Sequence, residues 1–263
     1  MQGDTEMKLS NRTQLKLLPM IFIALLAPCW VHAHSLVSIA ASPARIVMGA
    51  QYDGLNLKVD GTVPAGSDVI LRFTGAPDTL HLREKGKIFG MLWMNVGKVT
   101  LKNVPKVCLI NTSCAFDKMA DAATPFRLEA LGKALGIEKE GGDDRIDIAH
   151  ELLLLKKHEG LYGESAQGVT LGPDEGPVRS FSAEVKIPSA LAPGDYQVEV
   201  IAVHNGTLAG RYATSIQAEL VGFPKWLSNL AFHNSLLYGI LATVIAILSG
   251  LAIGLVFQGK GAH

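Results

Sequence analysis

The sequence predicts a mostly β domain with a helical insertion, followed by one C-terminal membrane-spanning helix. Three observations carry this. Short runs rich in Val, Ile, Leu and Thr, broken by Gly, Pro and Asn, fill residues 36 to 112 and return after about residue 178. Between them, residues 116 to 162 carry helix-start and helix-stop signals instead of alternation. Leu236 to Phe257 contains no charged residue. At about 1.5 Å per residue that stretch spans roughly 33 Å, enough for a hydrocarbon core of about 30 Å.

The N-terminus comes first. Lys8, Arg12 and Lys16 precede the apolar run Leu17 to Ala27, and "VHA" (Val31 to Ala33) places small residues before a cleavage point. Residues 1–33 therefore read as a signal peptide. An uncleaved signal anchor is the alternative, and Asp4 and Glu6 make Met7 an alternative start. The whole chain has 24 basic and 24 acidic side chains; cleavage removes three and two, leaving 21 against 22. That near-neutral balance, with no basic cluster, argues against nucleic acid as a partner.

Residues 34–222 form the expected extracytoplasmic domain. "LNLKVDGTV" alternates apolar and polar residues, "PAGS" marks a turn, and "DVILRFTG" and "DTLHLREKGKIFGMLWMNVGKVTLKNV" continue the strand signal. In the insertion, about 116–162, Thr124 is an expected N-cap with Pro125 at N1, and Gly136 ends that helix. "EKEGGDD" reads as a solvated loop. Asp144 is expected to cap a second helix with Ile148, Leu152 and Leu155 on its apolar side. Lys156, Lys157 and His158 sit at its negative end, and Gly160 is at C′.

Strands then resume. In "LAPGDYQVEVIAVHNG", Tyr196, Val198, Val200 and Ala202 share one face, and Gln197, Glu199, Ile201 and Val203 the other. Asn205-Gly206 predicts a type I′ hairpin, whose two central residues need φ > 0. A Pro-Gly entry, an alternating strand and a tight hairpin resemble the end of an immunoglobulin-like β-sandwich, which is the expected fold. Residues 223–235 join it to the membrane, with Trp226, Leu227, Leu230 and Ala231 on one helical side. An interfacial helix and an ordinary linker are both open there. The span is 236–257, and 258–263 form a cytoplasmic tail. Export followed by stop-transfer puts the bulk of the chain in the periplasm of a bacterial inner membrane, crossed once.

The strand "KIFGMLWMNVGKVTLKNVP", the helix end "LKKHEGLY", the strand "LAPGDYQVEV" and the final "LLYGIL", in this order, resemble the Alph-Pro-TM family of transmembrane proteins described mainly from alphaproteobacteria. The resemblance covers Val37 to Phe257. It implies a signal peptide, an extracytoplasmic domain and one C-terminal span, and an association with permeases resembling sulfite or taurine exporters. It implies no activity and no site residues. Cys108 and Cys114 depart from the family pattern.

The chemistry is sparse. "HELLLLKKH" lacks the second zinc-protease histidine, since position 154 is Leu. His150 and His158 lie two turns apart, roughly 12 Å, too far for one metal. No phosphate loop, dinucleotide fingerprint or nucleophile elbow is present. No enzyme and no cofactor are expected. The expected function is a membrane-anchored periplasmic binding or accessory module serving a membrane partner such as a transporter. The alternative is a copper-binding protein: after cleavage, His34 would offer its α-amine and imidazole to Cu(II), with His81 and His204 as further imidazoles. A frayed terminus with two unrelated surface histidines is the plain alternative to that. Cys108 and Cys114 are expected to form a disulfide, provided the chain turns between them. Ala242, Ala246, Gly250 and Gly254, four residues apart, form a ridge suited to close helix packing with a membrane protein or a second copy.

Overall fold

A computed structural model of the protein describes residues 37–141 and 145–258. The signal-peptide reading, His34, Asp144 and the tail beyond residue 258 fall outside the described residues. The described part is mostly β, with two sheets enclosing a common core. One sheet has four strands in the order β1 (Ser38–Ser42), β3 (Leu55–Pro64), β11 (Val178–Ile187), β10 (Val169–Glu175), all antiparallel. The other has six, in the order β2 (Arg45–Met48), β13 (Thr207–Leu220), β12 (Gly194–His204), β4 (Asp68–Gly75), β7 (Cys108–Thr112), β9 (Tyr162–Ser165). The two end pairs of that sheet, β2 with β13 and β7 with β9, are parallel.

Alternation decides which side chains enter the core. Leu57, Val59 and Val63 of β3 and Val185 and Ile187 of β11 meet Leu71 and Phe73 of β4 and Val198, Val200 and Ala202 of β12. Phe73 and Tyr196 stack with ring centroids 5.2 Å apart. The Tyr196 hydroxyl donates to the Ala192 carbonyl at 2.5 Å, so the polar end of this buried ring is paired. Gly61 is required where β3 passes Phe181, because a Cβ there would lie 2.0 Å from the Ser38 carbonyl oxygen. The β12–β13 hairpin closes as the sequence predicts, with φ of 49° at Asn205 and 73° at Gly206.

The outer face of the six-stranded sheet is covered as well. Ile70, Ile201 and Val203 point away from the first core and are buried with Cys108, Ile110 and Tyr162 beneath the insertion. That cover consists of 3₁₀ turns at Phe116–Lys118 and Asp121–Phe126, helix α1 (Leu128–Ala134) and helix α2 (Ile148–His158). A third sheet, β5 (Pro77–Ile88), β6 (Leu92–Pro105) and β8 (Gly136–Gly141), buries Val99, Leu101 and Val104 against Leu135 and Leu152.

Several expectations about the insertion are corrected. Thr124 and Pro125 lie inside a 3₁₀ turn. The α-helix starts at Leu128, whose N–H donates to the distant Glu164 carboxylate at 2.5 Å. A side chain far along the chain thus satisfies one of the unpaired N–H groups of the helix's first turn. Gly136 opens a strand rather than ending a helix, and "EKEG" is that strand instead of a loop: Glu138 pairs across to Thr100 and Lys139 to Val99. Lys102 and Glu138 form an ion pair over this edge. The cap of α2 is Asp147, which accepts from the His150 N–H at 3.1 Å. On α2, Leu152 is buried and Leu153 packs under the six-stranded sheet, while Leu155 is exposed. Gly160 follows at φ 72° as expected.

Helix α3 (Gly222–His233) occupies the joining segment, and α4 (Ser235–Gln258) follows after one residue. Ser235–Phe257 is long and apolar enough to cross a membrane.

Truncation of the stacked core ring tests this packing. Phe73→Ala should cost about 3–5 kcal/mol of unfolding free energy. Tyr196→Phe, which removes only a hydrogen bond, should cost about 1 kcal/mol. Denaturant titration of the detergent-solubilised protein measures both, and equal costs would contradict the placement.

Candidate functional site

The predicted site residues are dispersed. His81 lies on β5, exposed, with Nδ1 3.2 Å from the Thr100 hydroxyl. His204 lies at the end of β12, in a different sheet, and its Nδ1 donates to the Gly66 carbonyl at 3.1 Å. Among the described residues no group of three or more His, Cys, Asp or Glu side chains is placed to hold a metal.

Cys108 and Cys114 are unbridged here, Cys108 buried and Cys114 half-buried. Cys108–Thr112 is a strand, with Cys108 opposite Thr74 and Thr112 opposite Ile70, and the chain bends at Ser113 and Cys114. Burial pushes the Cys108 thiol up, with the Arg72 guanidinium pulling weakly the other way. Burial also raises Cys114, helped by the Asp68 carboxylate. Neither is an activated nucleophile, since attack requires the thiolate.

A buried carboxylate went unseen in the sequence. Glu199 is 4% exposed on the outer face of β12. It sits directly across from Arg72 of β4, whose Nη1 lies 3.3 Å from Oε2, and accepts from Arg211 Nε on the other side. The Arg72 guanidinium also lies 5.7 Å from the Phe126 ring centroid. This carboxylate, held between two permanent cations, ties three strands together under the insertion. Alternation placed Glu199 on the outer face, but nothing local named its partners.

Among the described residues, two apolar groupings stand out on the surface. The first is the tip of the β5–β6 hairpin. Phe89 is 93% exposed, Met91 86% and Trp93 64%, with Leu92 and Met94 also exposed. Lys87 stands opposite Trp93 in register, its Nζ 5.3 Å from the ring centroid. In sequence this stretch passed as ordinary half-buried strand; only the position of the turn reveals that it projects. The second is the C-terminal pair of helices. Phe223 and Trp226 of α3 stack with centroids 5.8 Å apart, both exposed. Along α4, Ala242, Ala246, Gly250 and Gly254 succeed one another at helical spacing, and a Cβ on either glycine would meet no atom of this chain within 4 Å.

Comparison with known proteins follows this geometry. The family described as "Putative transmembrane protein (Alph_Pro_TM)" matches residues 36–259. Comparison with curated proteins gives no match. Among solved structures, a family 123 glycoside hydrolase from Clostridium perfringens, studied for glycolipid glycan hydrolysis, is similar at 8% identity and a TM-score of 0.23. The similarity covers 72% of this chain and 28% of that one. This chain therefore spans less than a third of that enzyme's length, and likeness at that TM-score carries no argument about fold or activity.

Two outcomes check the interior. Glu199→Ala leaves Arg72 buried without its partner and should cost about 3–5 kcal/mol. Arg211→Ala, whose side chain is 58% exposed, should cost less than about 1 kcal/mol. Thermal or denaturant unfolding reads the difference. In native protein, the half-buried Cys114 should alkylate slowly and the buried Cys108 only after unfolding, as timed labelling and mass spectrometry would register. Equal labelling of the two would contradict their placement.

Proposed function

The chain belongs to the Alph_Pro_TM family, and from that premise we propose a membrane-anchored, non-enzymatic accessory module that serves a membrane partner such as a transporter. The observation that carries this is the one helix among the described residues long and apolar enough to cross a membrane, Ser235–Phe257, reached from the last strand through α3. A domain mounted in this way stays within a fixed short distance of the bilayer, where its partners are other membrane proteins. Residues 1–33, with a basic segment, an apolar run and small residues, support export. On this reading the β domain stands in the periplasm of a bacterial inner membrane and the six residues after the span lie in the cytoplasm. The exposed Phe223–Trp226 pair supports α3 as a helix lying at the membrane–water boundary, where aromatic rings are favoured.

We also read the two-sheet core as immunoglobulin-like. Three features support it: the strand order β1-β3-β11-β10 against β2-β13-β12-β4-β7, the division of the first extended segment between both sheets, and the Tyr196 hydroxyl turned back to Ala192. The parallel β9 and the chain inserted between β4 and β7 depart from that pattern. Such sandwiches commonly present recognition surfaces rather than catalytic centres.

The ridge on α4 supplies the packing surface in this proposal. In lipid the hydrophobic effect does not hold helices together, so close backbone approach counts. Gly250→Leu meets no atom of its own chain near the new Cβ and should leave insertion and abundance intact. It should reduce crosslinking to the membrane partner, or to a second copy, several-fold. Co-purification in mild detergent identifies that partner. An unchanged crosslinking yield at equal membrane abundance would reduce α4 to a tether.

A further inference from the structure

We propose that the tip of the β5–β6 hairpin dips into the lipid bilayer, making a second membrane contact besides the span; this rests on the membrane-anchored reading above.

The turn itself is the first argument. The Met91 N–H donates to the Ile88 carbonyl at 3.3 Å, and the two residues between, Phe89 and Gly90, have φ of 52° and 74°. The loop holds three residues, one more than Asn205-Gly206 at the other long hairpin, but its first two share that pair's φ > 0. There the chain uses Asn, which tolerates that region. At residue 89 it uses Phe, a bulky side chain for which the same backbone is costly. Nothing in the fold rewards the choice, because Phe89 is 93% exposed. Strain carried at an exposed position without packing return marks a functional position.

The second argument is shape and composition. Between Ile88 and Met94 every residue but Gly90 is apolar. They surround a convex apex rather than a flat face or a groove. A convex apolar tip fits a solvent that yields around it, and lipid is such a solvent. A protein partner would need a matching hollow.

The third is charge. From residue 83 to 98 there are four basic side chains, Arg83, Lys85, Lys87 and Lys98, against one acidic one, Glu84. The facing strand β8 contributes Glu138, Lys139 and Glu140, with Lys139 ion-paired to Glu84 at 3.6 Å. Lys87 and Lys85 are two and four residues behind Phe89, roughly 7 and 13 Å at about 3.3 Å per residue. With Phe89 and Met91 among acyl chains, those lysines reach the depth of anionic headgroups. Trp93, with Lys87 over its ring, falls at the boundary where tryptophan is enriched.

The experiment uses the full chain with Trp30→Phe and Trp226→Phe, which leaves Trp93 as the only tryptophan of the three. It is reconstituted at one copy per nanodisc in phosphatidylcholine–phosphatidylglycerol bilayers whose acyl chains are brominated near the headgroup. A tip lying about 5–10 Å into the headgroup–acyl boundary brings Trp93 within contact of bromine, and about half of its emission or more should be lost. Phe89→Ser with Met91→Ser should restore the emission; both positions are exposed, so thermal unfolding should be unchanged. Lys85→Glu with Lys87→Glu should weaken quenching in anionic discs and leave purely phosphatidylcholine discs less affected. Incorporated protein whose Trp93 is unquenched, whether solvent-exposed or covered by protein, overturns the proposal while leaving the span standing. Failure to incorporate at all overturns both.

Discussion

Burial of both faces of the central strands of the six-stranded sheet, β4, β7 and β12, is the constraint on which the rest of the structure depends. Along β4 and β12, neighbours that point to opposite faces are all withdrawn from water: Ile70 with Leu71, and Val200 with Ile201. An antiparallel sheet with one wet face would alternate cleanly. Here the four-stranded sheet covers one side and the insertion the other. The insertion is therefore a structural layer; without it Ile70, Ile110, Ile201 and Val203 would face solvent. The same burial dictates the polar chemistry beneath it. Glu199 has lost its water and must be held by Arg72 and Arg211, and the Tyr162 hydroxyl, pushed to a higher pKa by burial, donates to the Pro105 carbonyl at 2.7 Å.

What was legible in the sequence was what local chemistry determines. The Asn205-Gly206 turn, the two-faced pattern of Tyr196 to Val203, the start and stop of α2 within a few residues, and the charge-free final helix each depend on neighbours in the chain. What was not legible depends on contacts across it. "IEKE" alternates charges like a solvated loop, and only pairing with β6 makes it a strand. The N-terminus of α1 is satisfied by Glu164, 36 residues away. The stretch between the two cysteines shows the same limit: "NTS" has turn-forming residues, but pairing of β7 with β4 draws Cys108–Thr112 into a strand. Of the candidate site residues, sequence could name His81 and His204 as imidazoles but not that they occupy different sheets. The hairpin tip was hidden because "KIFGMLWM" has the composition of a buried strand. A Phe-Gly pair is a poor turn signal, and that same poor fit gives position 89 its meaning.

The final helix and the hairpin tip, both outside the cores of the described residues, differ in shape. The final helix is apolar all round, as a segment surrounded by lipid should be, with small residues aligned along it. The hairpin is apolar only at its apex, with lysines behind. The aromatic pair Phe223–Trp226 on α3 adds a third exposed apolar element, next to the start of the final helix.

Topology tests this account most directly. Lys186→Cys places a thiol on the exposed side of β11, and Ala262→Cys places one beyond the span. Intact spheroplasts would be treated with a membrane-impermeant maleimide and compared with the unsubstituted chain, then repeated after lysis. The account predicts added labelling at 186 before lysis and at 262 only afterwards. Labelling of both positions before lysis, or of 262 alone, would contradict a β domain anchored outside the cytoplasm by a single C-terminal span.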